Sequence, residues 1–266
     1  MGETETALVK FGGSVITDKR KSLTFLSGNV LSLSSEIFSF MRGGRKRRVV
    51  IVHGGGSFGH IKAKSYSIAG GLKRTGQLRG YAEVRSDMRN LNGRIVSSLL
   101  DSGVSAIAVQ AESIVSFSGR RVIAEDFSMV DRALEHGLVP VTFGDAVFDN
   151  SLYFTIISGD VLMESLCRHL KPDVAVFCTD VDGVYDRNPS KNRNARLLDR
   201  LDRSTVVETT ASSRPDVTGE MEGKLSVLFN IAENSGRALV INGRISGRLY
   251  AALSGKNPRG TRVLPD

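Results

Sequence analysis

The chain has 266 residues, 41% hydrophobic and 24% charged, with a formal net charge of +8. This ordinary globular balance, in a chain long enough to bury a real core, excludes a disordered chain, a collagen and a coiled coil. No apolar run approaches the ~18 residues of a membrane helix, and the N-terminal MGETET lacks the basic and apolar segments of a secretory signal.

Residues 7–11 predict a strand that ends in Gly12, Gly13 and Ser14. A helical period runs over about 29–41 and stops at Gly43 and Gly44. Residues 49–52 (VVIV) are fully apolar, the mark of a parallel strand buried on both faces. They lead into His53, Gly54, Gly55 and Gly56. A long amphipathic helix is expected over about 81–101, with Met88, Leu91, Ile95 and Leu99 at helical spacing. A strand at 106–109, a hairpin at 113–124 turning at Ser118 and Gly119, a helix near 127–136 and a strand at 139–143 follow. A second hairpin is expected at 146–157 around Asp149 and Asn150, then a helix at 159–170 and a buried strand at 174–177. Residues 180–216 are polar and rich in turn formers. A helix at about 222–234, a strand at 238–241, a short helix near 246–254 and a strand near 261–264 close the chain. Strands alternating with helices mean an α/β fold with a mostly parallel sheet.

Cys167 and Cys178 are the only cysteines. They are no disulfide framework and no zinc motif, so a reducing cytoplasm fits. The net charge of +8 admits nucleic acid, an anionic surface or a phosphate-rich substrate. The densest basic run, Arg42, Arg45, Lys46, Arg47 and Arg48, lies between a helix and a strand and reads as a solvated loop. With no Trp, 6% aromatics and no helix-turn-helix or zinc-finger spacing, no nucleic acid is expected as partner, and no membrane.

Two glycine-rich turns follow strands, Gly12-Gly13-Ser14 and Gly54-Gly55-Gly56-Ser57-Phe58-Gly59. Each is either a tight turn or a place where backbone N–H groups approach a phosphate unobstructed. The second spells G-x-G-x-x-G, but it follows the second strand, and no acidic residue closes a strand about 20 residues on, so the dinucleotide reading fails. Gly223-Lys224-Leu225 is not a Walker A loop, and the glycine of Asp180-Val181-Asp182-Gly183 sits wrongly for a calcium loop. Lys10 lies in the first strand, where Lys is depleted; it either points at an anion or is half exposed. Lys19 reads as a loop charge. Lys224 opens a helix against the dipole, solvated or holding an anion. Ser158, Gly159 and Asp160 open another helix; the motif is an N-cap, or the Asp holds two lysines. Thr179, Asp180, Asp182 and Gly183 follow a buried strand, where a nucleotide belongs. His53 reads as structural, and His60, one residue past the glycine loop, as a substrate contact.

VKFGGS, HGGGSFGH, SGD, TDVDGVYDRNP and then VTG with GK stand in this order. Through them the chain resembles the amino acid kinase family over nearly its whole length. SVITDK, the second histidine of HGGGSFGH, and LKPDVAVFCTDVDGVY are most similar to the archaeal-type isopentenyl phosphate kinases of that family. The resemblance implies one open αβα sandwich over 1–266, with an acceptor-binding lobe at about 1–170 and a nucleotide-binding lobe at about 171–266. It implies transfer of the γ-phosphoryl group of ATP, with Mg²⁺, to isopentenyl phosphate, and pairing into a homodimer. Lys10 and Lys224 would bind the transferring phosphoryl, with Lys19 nearby, and Asp160 would orient the lysines. Gly12, Gly13, Gly219 and the Thr179–Tyr185 stretch, with Asp180, Asp182, Gly183 and Tyr185, would meet ATP. Gly55, Gly56, His60, Ser158 and Gly159 would hold the acceptor phosphate. No protein metal ligand is expected. Met88, Leu91 and Ile157 are expected to limit the isoprenoid tail. The departure is GEMEGK at 219–224, where Glu220 and Glu222 add negative charge and relatives are richer in glycine.

Other readings of the same residues are a fosfomycin kinase-like or uridylate kinase-like enzyme, or a ligand sensor without catalysis. The set of Lys10, Asp160 and Lys224 speaks against the sensor, and His60 against uridylate.

Overall fold

The computed structural model describes residues 4–18, 20–43, 46–204 and 220–265. Lys19 and Gly219, both expected at the site, lie outside the described residues. The first half runs β1 (Glu5–Phe11), α1 (Gly13–Ile16), α2 (Ser27–Met41), β2 (Arg47–His53), α3 (Gly56–Ser65), α4 (Gly76–Asp101), β3 (Ala106–Ala108), β4 (Val115–Ser118), β5 (Arg121–Glu125), α5 (Ser128–Glu135) and β6 (Val139–Phe143). The second runs β7 (Asp145–Asp149), β8 (Tyr153–Ile157), α6 (Gly159–Leu170), β9 (Val174–Thr179), β10 (Arg200–Leu201), α7 (Glu220–Glu233), β11 (Ala238–Asn242), α8 (Arg248–Leu253) and β12 (Gly260–Val263).

Eight strands form one sheet in the order β10-β12-β11-β9-β1-β2-β6-β3. Within this sheet, among the described residues, only β11 and β12 pair antiparallel. β1 sits in the middle, with Phe11 opposite His53 of β2 on one side and Cys178 of β9 on the other. The C-terminal ends of β1, β2 and β9 therefore lie side by side, and both glycine turns leave the sheet there. Helices cover both faces, which is why the central strands read as unbroken apolar runs. One face packs Val9, Ile51 and Val141 under Ile37, Met88, Leu91 and Leu249. The other packs Leu8, Val50 and Ala175 under Val130, Leu162, Leu166 and Ile231. Both cysteines are buried and unpaired. Among the described residues, no helix is long and apolar enough to cross a membrane.

Two details depart from the sequence expectation. The long helix starts at Gly76, not near 81. Gln77, 2% exposed, secures that start. Its Oε1 accepts from the Lys73 and Arg74 N–H groups, and its Nε2 donates to the Tyr66, Ser67 and Gly71 carbonyls. The first hairpin turns at Gly119 and Arg120, not at Ser118 and Gly119, with φ of 57° and 65°. Such a left-handed pair matches the strand twist. Arg120 tolerates it because Asp149, from the other hairpin, accepts from the Gly119 and Arg120 N–H groups at 2.9 and 2.7 Å.

Candidate active site

The two glycine turns touch each other through backbone. A Cβ on Gly13 would stand 2.6 Å from the Gly56 nitrogen and 2.7 Å from its Cα. Thr17 staples the pair. Its Oγ1 donates to the Gly13 carbonyl at 2.6 Å and accepts from the Ser57 N–H at 3.0 Å. Gly56 has φ of +48°, and a Cβ there would meet Thr17 Oγ1 at 2.0 Å. The Gly12 N–H is spent on the Cys178 carbonyl at 2.9 Å. Among the described residues, the Gly13 and Ser14 N–H groups make no backbone hydrogen bond.

This contact predicts opposite outcomes for two glycines. Gly56→Ala adds a left-handed alanine and a clash with Thr17, and is expected to cost about 3 kcal/mol, lowering Tm by about 6–12 °C. Gly93, inside α4, has nothing within 4 Å of the Cβ it would gain. Gly93→Ala is expected to stabilise by up to about 1 kcal/mol through helix propensity. Thermal unfolding of both variants checks the pair; equal Tm values contradict it.

Lys10 points to the face covered by α6 and α7, on the same side of β1 as Leu8. Its Nζ donates to Asp160 Oδ1 and lies 5.5 Å from the centre of the Phe177 ring. Only 14% of its side chain and 22% of that of Asp160 are exposed. Asp160 sits in the first turn of α6, where the helix dipole favours a carboxylate. The cap is Ser158, whose Oγ accepts from the Val161 N–H at 3.3 Å. Gly159 packs this helix start against the end of β2, since its Cβ would lie 3.3 Å from the His53 carbonyl. Lys224 stands exposed near the start of α7. Leu228 and Ile231 of α7 share a core cluster with Leu162 and Leu166 of α6. Lys10, Asp160 and Lys224 thus belong to one face of the sheet.

His60 is exposed on α3, just beyond Gly55, Gly56 and Gly59. Met88 supports this turn from below, its Sδ 3.2 Å from the Cβ position of Gly55 and 3.0 Å from that of Gly59. His53 is fully buried. Its Nδ1 faces the Gly54 carbonyl at 3.1 Å, its Nε2 faces Asn92 Nδ2 at 3.1 Å, and its ring stacks on Phe143. Nε2 accepts from the Asn92 amide, so Nδ1 carries the proton. Burial pushes the His53 pKa down from 6.5 to about 4. Between those values the unfolded chain gains a proton that the fold refuses, so stability is present above pH 6.5 and is lost as pH falls toward 4. The drop in unfolding free energy from pH 7 to 4.5 is expected to be about 2 kcal/mol smaller in His53→Gln than in the unaltered chain. Urea unfolding at the two pH values measures it.

On the β9 side, Ser14 Oγ donates to Asp180 Oδ1 at 2.7 Å. Thr179 Oγ1 donates to the Val181 carbonyl at 2.9 Å and lies 3.2 Å from that of Ile241. Asp182, expected among the ATP contacts, ties its own segment down through its carboxylate. It accepts from Arg248 at 2.7 Å and from Asn242 at 3.3 Å, and pairs with Arg259 at 2.9 Å. The Arg248 guanidinium holds its carboxyl below the usual carboxylate range. Gly183 presses on Thr261 of β12, and Tyr185 bridges to Leu197. The 180–198 stretch is therefore anchored on β12 and α8. Sequence reasoning missed Thr17 and Asn92, which meet Ser57 and His53 at separations of 40 and 39 residues, and the bond of Ser14 to Asp180.

The three residues expected to limit a tail do not line one space. Met88 and Leu91 are buried on the α4 face, whereas Ile157 is buried on the α6 face. Its neighbour Ile156 packs toward α4 instead.

A family model for the amino acid kinase family matches residues 5–242. Over 264 residues the chain is 36% identical to the isopentenyl phosphate kinase of Methanothermobacter thermautotrophicus, covering 96% of this chain and 98% of that protein. An X-ray structure of isopentenyl phosphate kinase superposes with a TM-score of 0.83 at 34% identity, covering 97% of this chain and all of that one. The product complex of Thermoplasma acidophilum isopentenyl phosphate kinase gives 0.80 at 31% identity over 97% of this chain and 99% of that one. With the central parallel sheet, the paired glycine turns and these likenesses together, the chain belongs to the amino acid kinase family.

Proposed function

We propose that this chain transfers the γ-phosphoryl group of ATP to isopentenyl phosphate, giving isopentenyl diphosphate and ADP. The observation that carries the reading is the backbone contact between the two glycine turns, through Gly13 and Gly56. Two phosphate-binding turns that touch can hold two phosphates close enough to react. The similarity to several isopentenyl phosphate kinases over nearly the full chain supplies the acceptor.

In this reading the β1–β9 side takes the nucleotide, with phosphates at the Gly13 and Ser14 N–H groups and the Thr179–Tyr185 stretch bordering it. The acceptor lobe covers about 1–170, and its phosphate lies at Gly55, Gly56 and His60, beside Ser158 and Gly159 at the start of α6. An oxygen of the acceptor phosphate attacks the γ-phosphorus, and the bond to the β,γ-bridging oxygen breaks. The nucleophile is already an anion, so the step needs charge and alignment more than a base. Lys10 and Lys224 supply charge, and Asp160 holds Lys10 in place. His60 donates to the acceptor phosphate.

Among the described residues, no group of three His, Cys, Asp or Glu side chains is placed to hold a metal. Mg²⁺ keeps waters and binds through one or two carboxylates plus substrate phosphates. Asp180, exposed beside Ser14, is the carboxylate placed to contribute. Bound there, the ion would neutralise phosphate charge. Homodimer pairing and a cytoplasmic place belong to the same reading, and light scattering tests the first.

The test is product identification. γ-Labelled ATP incubated with isopentenyl phosphate should give labelled isopentenyl diphosphate. Label released only as inorganic phosphate contradicts the reading.

A further inference from the structure

β11 ends at Asn242, paired with Thr179 of β9. The turn that follows is held on every side. The Gly243 N–H donates to the Thr179 carbonyl at 2.9 Å. A Cβ on Gly243 would stand 2.6 Å from Cys178 Cβ and 3.2 Å from Val15 Cγ1, so the turn lies flat on β9 and α1. Asn242 Oδ1 accepts from the Arg244 N–H at 3.0 Å. Further on, Glu36, buried on α2, accepts from the Gly247 N–H at 3.0 Å and the Tyr250 N–H at 2.8 Å.

Among the exposed side chains of this turn, with Ile245 and Ser246, is Arg244. It crosses to the first glycine turn, where its Nη2 donates to the Ser14 carbonyl at 2.6 Å. Among the described residues, no ion pair with a carboxylate is formed by Arg244, whereas Arg248 and Arg259 nearby both bind Asp182. A guanidinium has five N–H donors in a planar fork suited to phosphate. One is spent on Ser14, and the fork lies at the edge of the turn whose Gly13 and Ser14 N–H groups are open.

We infer that Arg244 is a nucleotide-phosphate-binding residue. Its guanidinium, parked on the Ser14 carbonyl, presents its other donors to the phosphate chain of ATP. The inference rests on the reading of Gly12–Ser14 as the nucleotide turn. Holding the arm at the turn beforehand reduces the entropy lost when the nucleotide arrives.

The test is calorimetric binding of ATP, ADP and adenosine, with Mg²⁺, to the unaltered chain and to Arg244→Ala, Arg244→Gln and Arg244→Lys. Losing charged hydrogen bonds to phosphate should weaken ATP binding in Arg244→Ala by about 10–100-fold. Adenosine binding, and the KM for isopentenyl phosphate, should not move. Arg244→Lys should fall between, keeping the charge without the fork. Arg244→Gln can still donate to the Ser14 carbonyl but carries no charge, and should bind ATP as weakly as Arg244→Ala. If Arg244→Gln binds like the unaltered chain, the arm only props the turn and the inference is overturned. Unchanged ATP affinity in Arg244→Ala, or equal losses for ATP and adenosine, also overturn it. Failure of the unaltered chain to bind ATP or ADP is a different result, since it contradicts the nucleotide reading itself. Arg244→Lys and Arg244→Gln keep the comparison open should Arg244→Ala not fold.

Discussion

Lys10→Ala is expected to lower kcat by about 10²-fold or more, with little change in the KM for the acceptor. The lysine lies at the end of β1 with its ammonium on Asp160, next to the meeting point of the two glycine turns. Charge moves across the transferring phosphoryl as the bond to ADP breaks, and a cation fixed there gains most of its contact in the transition state. Lys224→Ala is expected to behave alike, because α7 shares the α6 face that carries Asp160. A second effect adds to the Lys10 loss. Without its partner the Asp160 carboxylate becomes an unpaired negative charge facing phosphates. Lys10→Ala combined with Asp160→Asn should therefore lose less than the sum of the single variants, as coupled groups do. Steady-state kinetics of the cycle measures this. Normal turnover in Lys10→Ala and Lys224→Ala contradicts the site.

His60→Ala is expected to reduce kcat/KM by the equivalent of about 2–4 kcal/mol, the value of a hydrogen bond to a charged group in a closed site. The fold should be unaffected, since His60 is exposed while the buried Phe58 and Met88 hold α3 to the core. ATP binding should also persist, because the proposed nucleotide contacts, Gly13, Ser14 and the Thr179–Tyr185 stretch, follow β1 and β9 rather than β2. His60→Gln should keep part of the activity through its amide donor, and His60→Asn less, being shorter. A general base would give another pattern, with Gln as inactive as Ala and activity rising through the imidazole pKa. Kinetics of the three variants across pH 6–9 separate the two; Gln equal to Ala at every pH contradicts the donor role.

The pattern of elements was legible because each segment advertises its own surroundings. The apolar run at 49–52 is buried on both faces, and Met88, Leu91, Ile95 and Leu99 do form the core side of α4. Ile157 shows where a pattern was present and not used. In β8 the side chains alternate, so Phe154 and Ile156 belong to one face and Ile157 to the other. The start of α4 was hidden because Gln77, a polar residue in a polar stretch, acts through five hydrogen bonds to backbone.

At the site, the residue types at the strand ends were readable, but their partners were not. Nothing local in Gly13 and Gly56 says that they touch, because the contact follows from β1 and β2 being neighbours. Asp182 looked like a nucleotide ligand by its place after β9. Its ion pairs with Arg248 and Arg259, 66 and 77 residues on, could not be read there. Arg244 meets Ser14 across 230 residues of chain. Long-range pairing of this kind is set by strand order, which a period in one segment cannot report.

The most direct measurement is kcat/KM for one acceptor panel at saturating ATP: isopentenyl, dimethylallyl and geranyl phosphates, uridylate and fosfomycin. The two touching turns and His60 predict transfer to isopentenyl phosphate well above uridylate and fosfomycin, with His60→Ala losing that preference. Transfer to uridylate or fosfomycin at a higher kcat/KM, or none to isopentenyl phosphate, would contradict it.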